Sequence, residues 1–268
     1  MILKFLVWFI QCSPSTKKWF WKRWYSLFPH IAPNPEFKCM NFGFFSENLH
    51  LDLETTDDVE RYPIHLYHHV ASQVELDGKK VLEVGSGRGG GASYIARYLS
   101  PNHVTGIDIS PTAVELCKTL YQEKNLSFSV GDSENIPSED ESMDVVINVE
   151  SSHCYGHMDG FLSEVTRVLK PGGYFLFCDL RAAEKLDLLN NQFDSSDLDL
   201  LEKNDITDNV ILALEKMSDF RKKAISKKVP WVIQDVFESY AGVRGSKTYE
   251  SFIDRSLVYI SAMLQKPF

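Results

Sequence analysis

The run Lys80-Val81-Leu82-Glu83-Val84-Gly85-Ser86-Gly87-Arg88-Gly89-Gly90-Gly91 limits what this chain can become. An aliphatic stretch carrying one acid breaks into glycines, then resumes at Ala92-Ser93-Tyr94-Ile95-Ala96 with helical spacing. That order predicts a strand, a tight turn and a helix N-terminus, the opening unit of a nucleotide-type α/β fold. Glycine suits the turn because side chains would hold a ligand off the backbone, and because the bend asks for positive φ. The helix that follows aims unpaired N–H groups and its positive dipole end into the same gap. Gly85, Gly87 and Gly90 alone also satisfy a dinucleotide pattern, so the rest of the chain must choose the ligand.

Strands and helices alternate downstream. Val104 to Ile109 reads as a second strand, and Ser110-Pro111 is placed to cap and start a helix. Leu126 to Asp132 is a third strand. Asp144 to Val149 is a fourth, nearly all apolar, as a strand covered on both faces should be. Met158 to Leu169 has helical apolar spacing and stops at Lys170-Pro171-Gly172-Gly173, before a fifth strand from Tyr174 to Asp179. The alternation predicts a parallel, doubly wound sheet. Upstream, Glu54 to Glu60 starts a helix running towards Val74, on which His65, His68 and His69 read as surface residues. The aromatic segment Phe42-Gly43-Phe44-Phe45 is expected in a loop, either in the core or laid over a ligand as a flap. Acid-rich and then base-rich stretches after the fifth strand read as charged helices forming a lid over about residues 183–235. Leu257 to Ile260 is the best strand in the tail.

At 268 residues the chain suits one large α/β domain, here residues 36–268, with an insertion. Its net charge of −9 argues against a nucleic-acid partner, since phosphate neutralisation needs a basic face. Five cysteines without CxxC spacing read as reduced thiols in a cytoplasmic setting, with no zinc or other metal site. Residues 1–35 differ in character. Met1 to Ile10 is apolar but too short to span a bilayer, and Lys17 to Tyr25 interleaves aromatics with bases. Three readings fit: peripheral membrane contact through residues 1–28, a helix packed on the domain or lidding its pocket, and a secretory signal. The last is disfavoured by the absence of a small-residue cleavage site.

Ligands in an open α/β sheet bind beyond the carboxyl ends of the strands. Those ends carry Glu83, Asp108, Asp132, Asn148 to His153, and Asp179. Asp108 lies 19 residues after Gly89, a spacing that sets a carboxylate beside a cofactor ribose. A ring of acids repels the two phosphates of a dinucleotide. It favours a cofactor bringing a sulfonium and an amino group.

Val81 to Gly89, Gly106-Ile107-Asp108, Gly131 to Pro137 and Arg167 to Gly173 together resemble the ordered motifs of class I S-adenosylmethionine (SAM)-dependent methyltransferases. The resemblance implies a Rossmann-like seven-stranded sheet with helices on both faces and its last strand reversed. It implies SAM held by Gly85, Gly87 and Gly89, the ribose on Asp108, and the adenine near Asp132 and Ser133. Glu83, Ser86, Ile109 and Asn148 complete the implied cofactor-binding set. Asn148 to Tyr155 and its flanks resemble the mycobacterial phthiotriol/phenolphthiotriol dimycocerosate methyltransferases, which O-methylate a hydroxyl on a long-chain lipid. The implied acceptor is therefore a hydrophobic small molecule or lipid. The Phe42 segment is loosely similar to the flap of sterol C-methyltransferases, which keeps C-methylation of a sterol-like lipid, or N-methylation of an amine, as alternatives. A non-catalytic SAM-binding module is a further class, against which the intact glycines, Asp108 and His153 speak.

Hydroxyl methylation requires alignment and removal of one proton. His153 lies just past the fourth strand and Asp179 ends the fifth, so both are expected to face the transferred methyl as catalytic base and orienting acid. The rebeccamycin sugar O-methyltransferase is similar at both places.

Overall fold

In a computed structural model, Thr16 and residues 38–268 are described. The N-terminal segment read as membrane contact, packed helix or signal lies, apart from Thr16, outside the described residues. Before the sheet come helices α1 (Thr55–Asp58) and α2 (Arg61–Ala71). The sheet then builds as β1 (Lys80–Val84), β2 (His103–Asp108), β3 (Leu126–Val130), β4 (Met143–Val149) and β5 (Leu169–Ala182). Between them run α3 (Gly90–Tyr98), α4 (Pro111–Leu120) and α5 (Met158–Val168). The chain continues through α6 (Leu186–Asp194), β6 (Asp199–Asp205) and α7 (Thr207–Lys228) to α8 (Gln234–Tyr240), α9 (Lys247–Ile253) and β7 (Leu257–Gln265).

The seven strands lie in the order β3-β2-β1-β4-β5-β7-β6. β1 pairs in parallel with β2 and β4, and β7 runs antiparallel to both β5 and β6, making it the reversed strand. This is the Rossmann-like methyltransferase sheet. Alternate residues of the buried strands feed two cores, as a period of two demands. Val81, Val145 and Ile147 pack with α2, α3 and α7 on one face. Leu82, Val84 and Val146 pack with α5 and α6 on the other. The turn before α4 behaves as its residues dictate: Ser110 Oγ accepts from the Ala113 N–H at 3.3 Å, with Pro111 in the first helical position.

Two expectations are corrected. The segment read as charged helices is not all helix, and a lid role for it is not confirmed: α6 buries Leu189 and Phe193, and α7 buries Val210, Ala213 and Leu214. Between them β6 is an edge strand on β7, every residue of it exposed. Its charges give no alternation to read, and charge on an edge discourages further strand pairing. The second correction concerns α2, which is covered on two sides. His65 is buried and makes no hydrogen bond among the described residues, and burial lowers its pKa to about 4. His69 stacks on Phe44 at 4.4 Å, while His68 Nδ1 meets Tyr94 Oη at 2.7 Å. The loop carrying Phe42 and Phe44 is core: both rings are buried, Phe42 edge-on to Phe252 at 5.4 Å. No helix among the described residues is long and apolar enough to cross a membrane.

Helices α2 and α3 meet at Gly91, where a Cβ would overlap the ring of Tyr67. Helix propensity alone would make Gly91→Ala stabilising by about 1 kcal/mol. Tyr67 is buried and hydrogen-bonded to Glu83, so the ring has no easy retreat. Gly91→Ala is therefore expected to lower stability by about 1–3 kcal/mol in urea unfolding. An unchanged or raised midpoint would show that α2 and α3 can move apart.

Candidate active site

After β1 the chain bends through Gly85, Gly87 and Gly89, with φ of 79°, 52° and 78°, all in the left-handed region. The three glycines are there for different reasons. At Gly85 a Cβ would overlap Ser151 Oγ and lie 2.8 Å from Tyr155 Oη. At Gly89 it would come within 2.8 Å of Phe128 and Tyr121, so this glycine lets α3 close on the sheet. At Gly87 it would meet nothing within 4 Å. The open space belongs to a cleft partly open to solvent, which Gly87 lines.

Of the residues singled out from the sequence, Gly85, Ser86, Gly87, Asp108, Ile109 and Ser133 line this cleft. Glu83, Gly89, Asp132, Asn148, His153 and Asp179 are not among its lining residues and stand behind or beside the wall. Asn148 is fully buried and donates to the Val84 carbonyl at 2.9 Å and to Ser151 Oγ at 2.7 Å, tying the ends of β1 and β4 together. Asp132 Oδ1 accepts from the Glu134 N–H at 3.0 Å, which shapes the turn that carries Ser133.

The wall is acidic and poorly solvated. Asp108 accepts from the Gly87 N–H at 2.9 Å and the Ser110 N–H at 2.8 Å, and burial raises its pKa to about 6 against those two bonds. Glu83 Oε1 accepts from Tyr67 Oη at 2.8 Å, while its buried Oε2 makes no hydrogen bond among the described residues. Burial brings Glu83 to about 7. A third acid, Glu150, lines the cleft and went unselected in the sequence reading. Its backbone is left-handed, φ 48°, and its Oε2 accepts from Tyr259 Oη at 2.6 Å and the Phe42 N–H at 2.9 Å. Burial raises it to about 7 as well. Its place just after the fourth strand, matching acids at the other strand ends, was the available signal.

Asp179, with no exposed surface, lies in β5 one residue past the strand's last pairing with β4. It accepts from Ser152 Oγ at 2.5 Å, from the His153 and Leu180 N–H groups at 2.8 Å, and from His153 Nδ1 at 2.8 Å. The Arg181 guanidinium lies 3.0 Å away. Burial opposes its charge, yet His153, Arg181 and these donors hold the carboxyl well below its ordinary pKa. Burial likewise opposes charge on His153, but Cys154 and Asp179 beside it hold the imidazole well above the ordinary histidine value. Its side chain keeps 26% of its surface exposed. With Nδ1 on Asp179, proton exchange falls to Nε2. Ser151, two residues before it, and Cys154, the residue after it, line the cleft.

Residues 82–177 match the methyltransferase domain family. Over 236 residues the chain is 38% identical to the phthiotriol/phenolphthiotriol dimycocerosates methyltransferase of Mycobacterium leprae, covering 88% of this chain and 87% of that one. The chain belongs to the SAM-dependent methyltransferase family. It is also 35% identical to the fatty-acid O-methyltransferase of Mycolicibacterium smegmatis, over 85% of this methyltransferase and 83% of that protein. Among solved structures, the cyclase SpnF has TM-score 0.70 at 20% identity, covering 91% of this chain and 94% of that one. Geranyl diphosphate C-methyltransferase from Streptomyces coelicolor A3(2), in complex with S-adenosyl-L-homocysteine (SAH), has TM-score 0.68 at 14% identity, covering 93% and 98%. These likenesses show the fold alone.

SAM is the family's cofactor, and the cleft fits it. A backbone bend without side chains leaves room at Gly87, and the acids Asp108 and Glu150 in the lining suit a cationic ligand. Gly87→Ala tests this fit. A left-handed alanine costs about 1–2 kcal/mol, a melting shift of a few degrees. Its methyl projects where the ligand's backbone contact would be, so SAH affinity by calorimetry is expected to fall about tenfold or more. Unchanged affinity would place the ligand elsewhere.

Proposed function

We propose that this methyltransferase transfers a methyl group from SAM to a hydroxyl oxygen on a hydrophobic small molecule or lipid. The His153–Asp179 pair, joined at 2.8 Å beside the glycine-loop cleft with Ser151 and Cys154 in the cleft's lining, carries this reading. A hydroxyl is a poor nucleophile until its proton has somewhere to go, and an imidazole set by a buried carboxylate supplies that place. Relatives named for phthiotriol and phenolphthiotriol dimycocerosates and for fatty acids support a hydrophobic acceptor.

Gly85, Ser86 and Gly87 would hold the cofactor's amino-acid end, Asp108 and Ile109 its ribose, and Ser133 its adenine, with Asp132, Asn148 and Gly89 shaping the turns that present them. When bound, SAM supplies an electrophilic methyl and a positive charge that disfavours a protonated imidazole nearby. His153 Nε2 takes the hydroxyl proton. Asp179 fixes the tautomer through Nδ1 and stabilises the imidazolium that results. Arg181 and Ser152 keep Asp179 ionised throughout. Met40, Tyr67 and Tyr155 lend the cleft apolar surface that excludes water from the reacting groups. The C-methylation alternative loses support, because the Phe42 and Phe44 rings of the flap-like segment are packed in the core.

His153→Ala is expected to lower turnover about 10²–10³-fold with SAM affinity kept, read with labelled SAM and hydroxylated lipid acceptors. Unchanged turnover would remove His153 as the base. The active form of a base is the neutral one, and the folded pKa of His153 is raised. Turnover should therefore climb with pH beyond neutrality and level off only in the alkaline range. Asp179→Asn, lacking the charge that raises that pKa, should move the climb to lower pH. A flat or falling profile over this window would contradict the assignment.

A further inference from the structure

The end of α7 and the elements after it leave a run of apolar side chains in solvent. In the short 3-10 turn Trp231–Ile233, Trp231 is 83% exposed and Val232 69%. Ile233, Val236 and Tyr240 follow at i, i+3 and i+7, one face continuing onto α8, and all three are exposed. Single exposed apolar residues need no explanation, but a contiguous group marks a surface that meets something apolar. Gln234 Nε2 donates to the Val229 carbonyl at 2.9 Å, fixing this turn against the end of α7. There Lys222, Lys223 and Lys227 are exposed. The acids on the same stretch are exposed Asp235 and half-buried Glu238.

The chemistry of the patch selects its partner. Tryptophan is favoured where an apolar layer meets water, at the headgroup level of a bilayer. Lysine is depleted from protein–protein interfaces, whereas anionic headgroups attract it. A cationic rim on a chain of net charge −9 is not a reflection of its composition. The same elements hold part of the cleft: Arg221 donates to the Ala241 carbonyl at 2.6 Å and to the Asn41 carbonyl at 3.0 Å, next to cleft-lining Met40.

We propose that this patch docks the methyltransferase on an anionic lipid surface. Trp231 and Val232 enter the headgroup boundary, Lys222, Lys223 and Lys227 lie against lipid phosphates, and the cleft is brought to an acceptor in the bilayer. The purpose of docking rests on the lipid-acceptor reading; docking itself is measured apart from it.

The full chain is sedimented with vesicles of phosphatidylcholine alone and of phosphatidylcholine mixed with phosphatidylglycerol. The unaltered protein should partition more strongly onto the mixed vesicles. The double variant W231E/V236E should lose about tenfold or more of that binding. K222Q/K223Q/K227Q should lose about fivefold per lysine, on the mixed vesicles alone. Both variants should keep SAH affinity and turnover on a water-soluble hydroxylated acceptor while losing turnover on a vesicle-embedded one. Undiminished vesicle binding by W231E/V236E would overturn the proposal, as would a lipid-free self-association that this variant abolishes. Loss of vesicle binding as expected, with no hydroxylated lipid methylated by any form, would uphold docking and sink the acceptor reading instead.

Discussion

A carboxylate without exposed surface sits in β5 just past the point where β4 leaves it, and the neighbouring turn is arranged around its needs. An ion buried unpaired costs several kcal/mol, so Asp179 must collect partners. It finds them in the turn after β4: the Ser152 hydroxyl, the His153 N–H and the His153 ring, with Arg181 from its own strand. Satisfying that one charge draws the β4 turn across the end of β5 and fixes the histidine ring. In the proposed role of base a mobile histidine would serve poorly; this ring is held through Nδ1 by Asp179.

The glycine turn across the cleft is organised by a complementary constraint. Asp108 reaches back to the Gly87 N–H, so the end of β2 holds the turn that follows β1. Around it, burial raises Asp108, Glu83 and Glu150 into the range of about 6 to 7. Carboxyls in that condition are ill-served by their surroundings. A raised folded pKa means the ionised form is less stable in the fold than in the unfolded chain, a cost felt above the ordinary carboxyl pKa. A cation entering the cleft relieves it. Functional sites commonly hold such locally unfavourable arrangements, which the rest of the fold supports.

Much of this was legible in the sequence because it is local. The glycine turn, the Ser110-Pro111 helix start and the apolar fourth strand each follow from residues adjacent in the chain. What was missed depends on distant segments. β6 is stabilised by its ladder with β7, not by any pattern of its own, so a run such as Glu202-Lys203-Asn204-Asp205 reads as solvated helix or loop. His65 is buried because the loop before α1 crosses α2, with Phe44 N–H on the Tyr62 carbonyl at 3.0 Å. Glu150 owes its position to a left-handed backbone forced by the turn that serves Asp179, and nothing in its neighbours announces positive φ. Asn148, by contrast, stands where expected at the end of the fourth strand, but spends its amide on tying strands together.

The most direct measurement is an NMR titration of the His153 ring, alone and with SAM or SAH. Without ligand its pKa should lie well above the ordinary histidine value, because the neighbouring Asp179 carboxylate favours the charged form. Addition of SAM, which carries a positive charge, should lower that pKa, and neutral SAH should lower it less. A pKa at or below the ordinary value, or one that ignores the charge on the cofactor, would contradict a dyad poised beside the sulfonium.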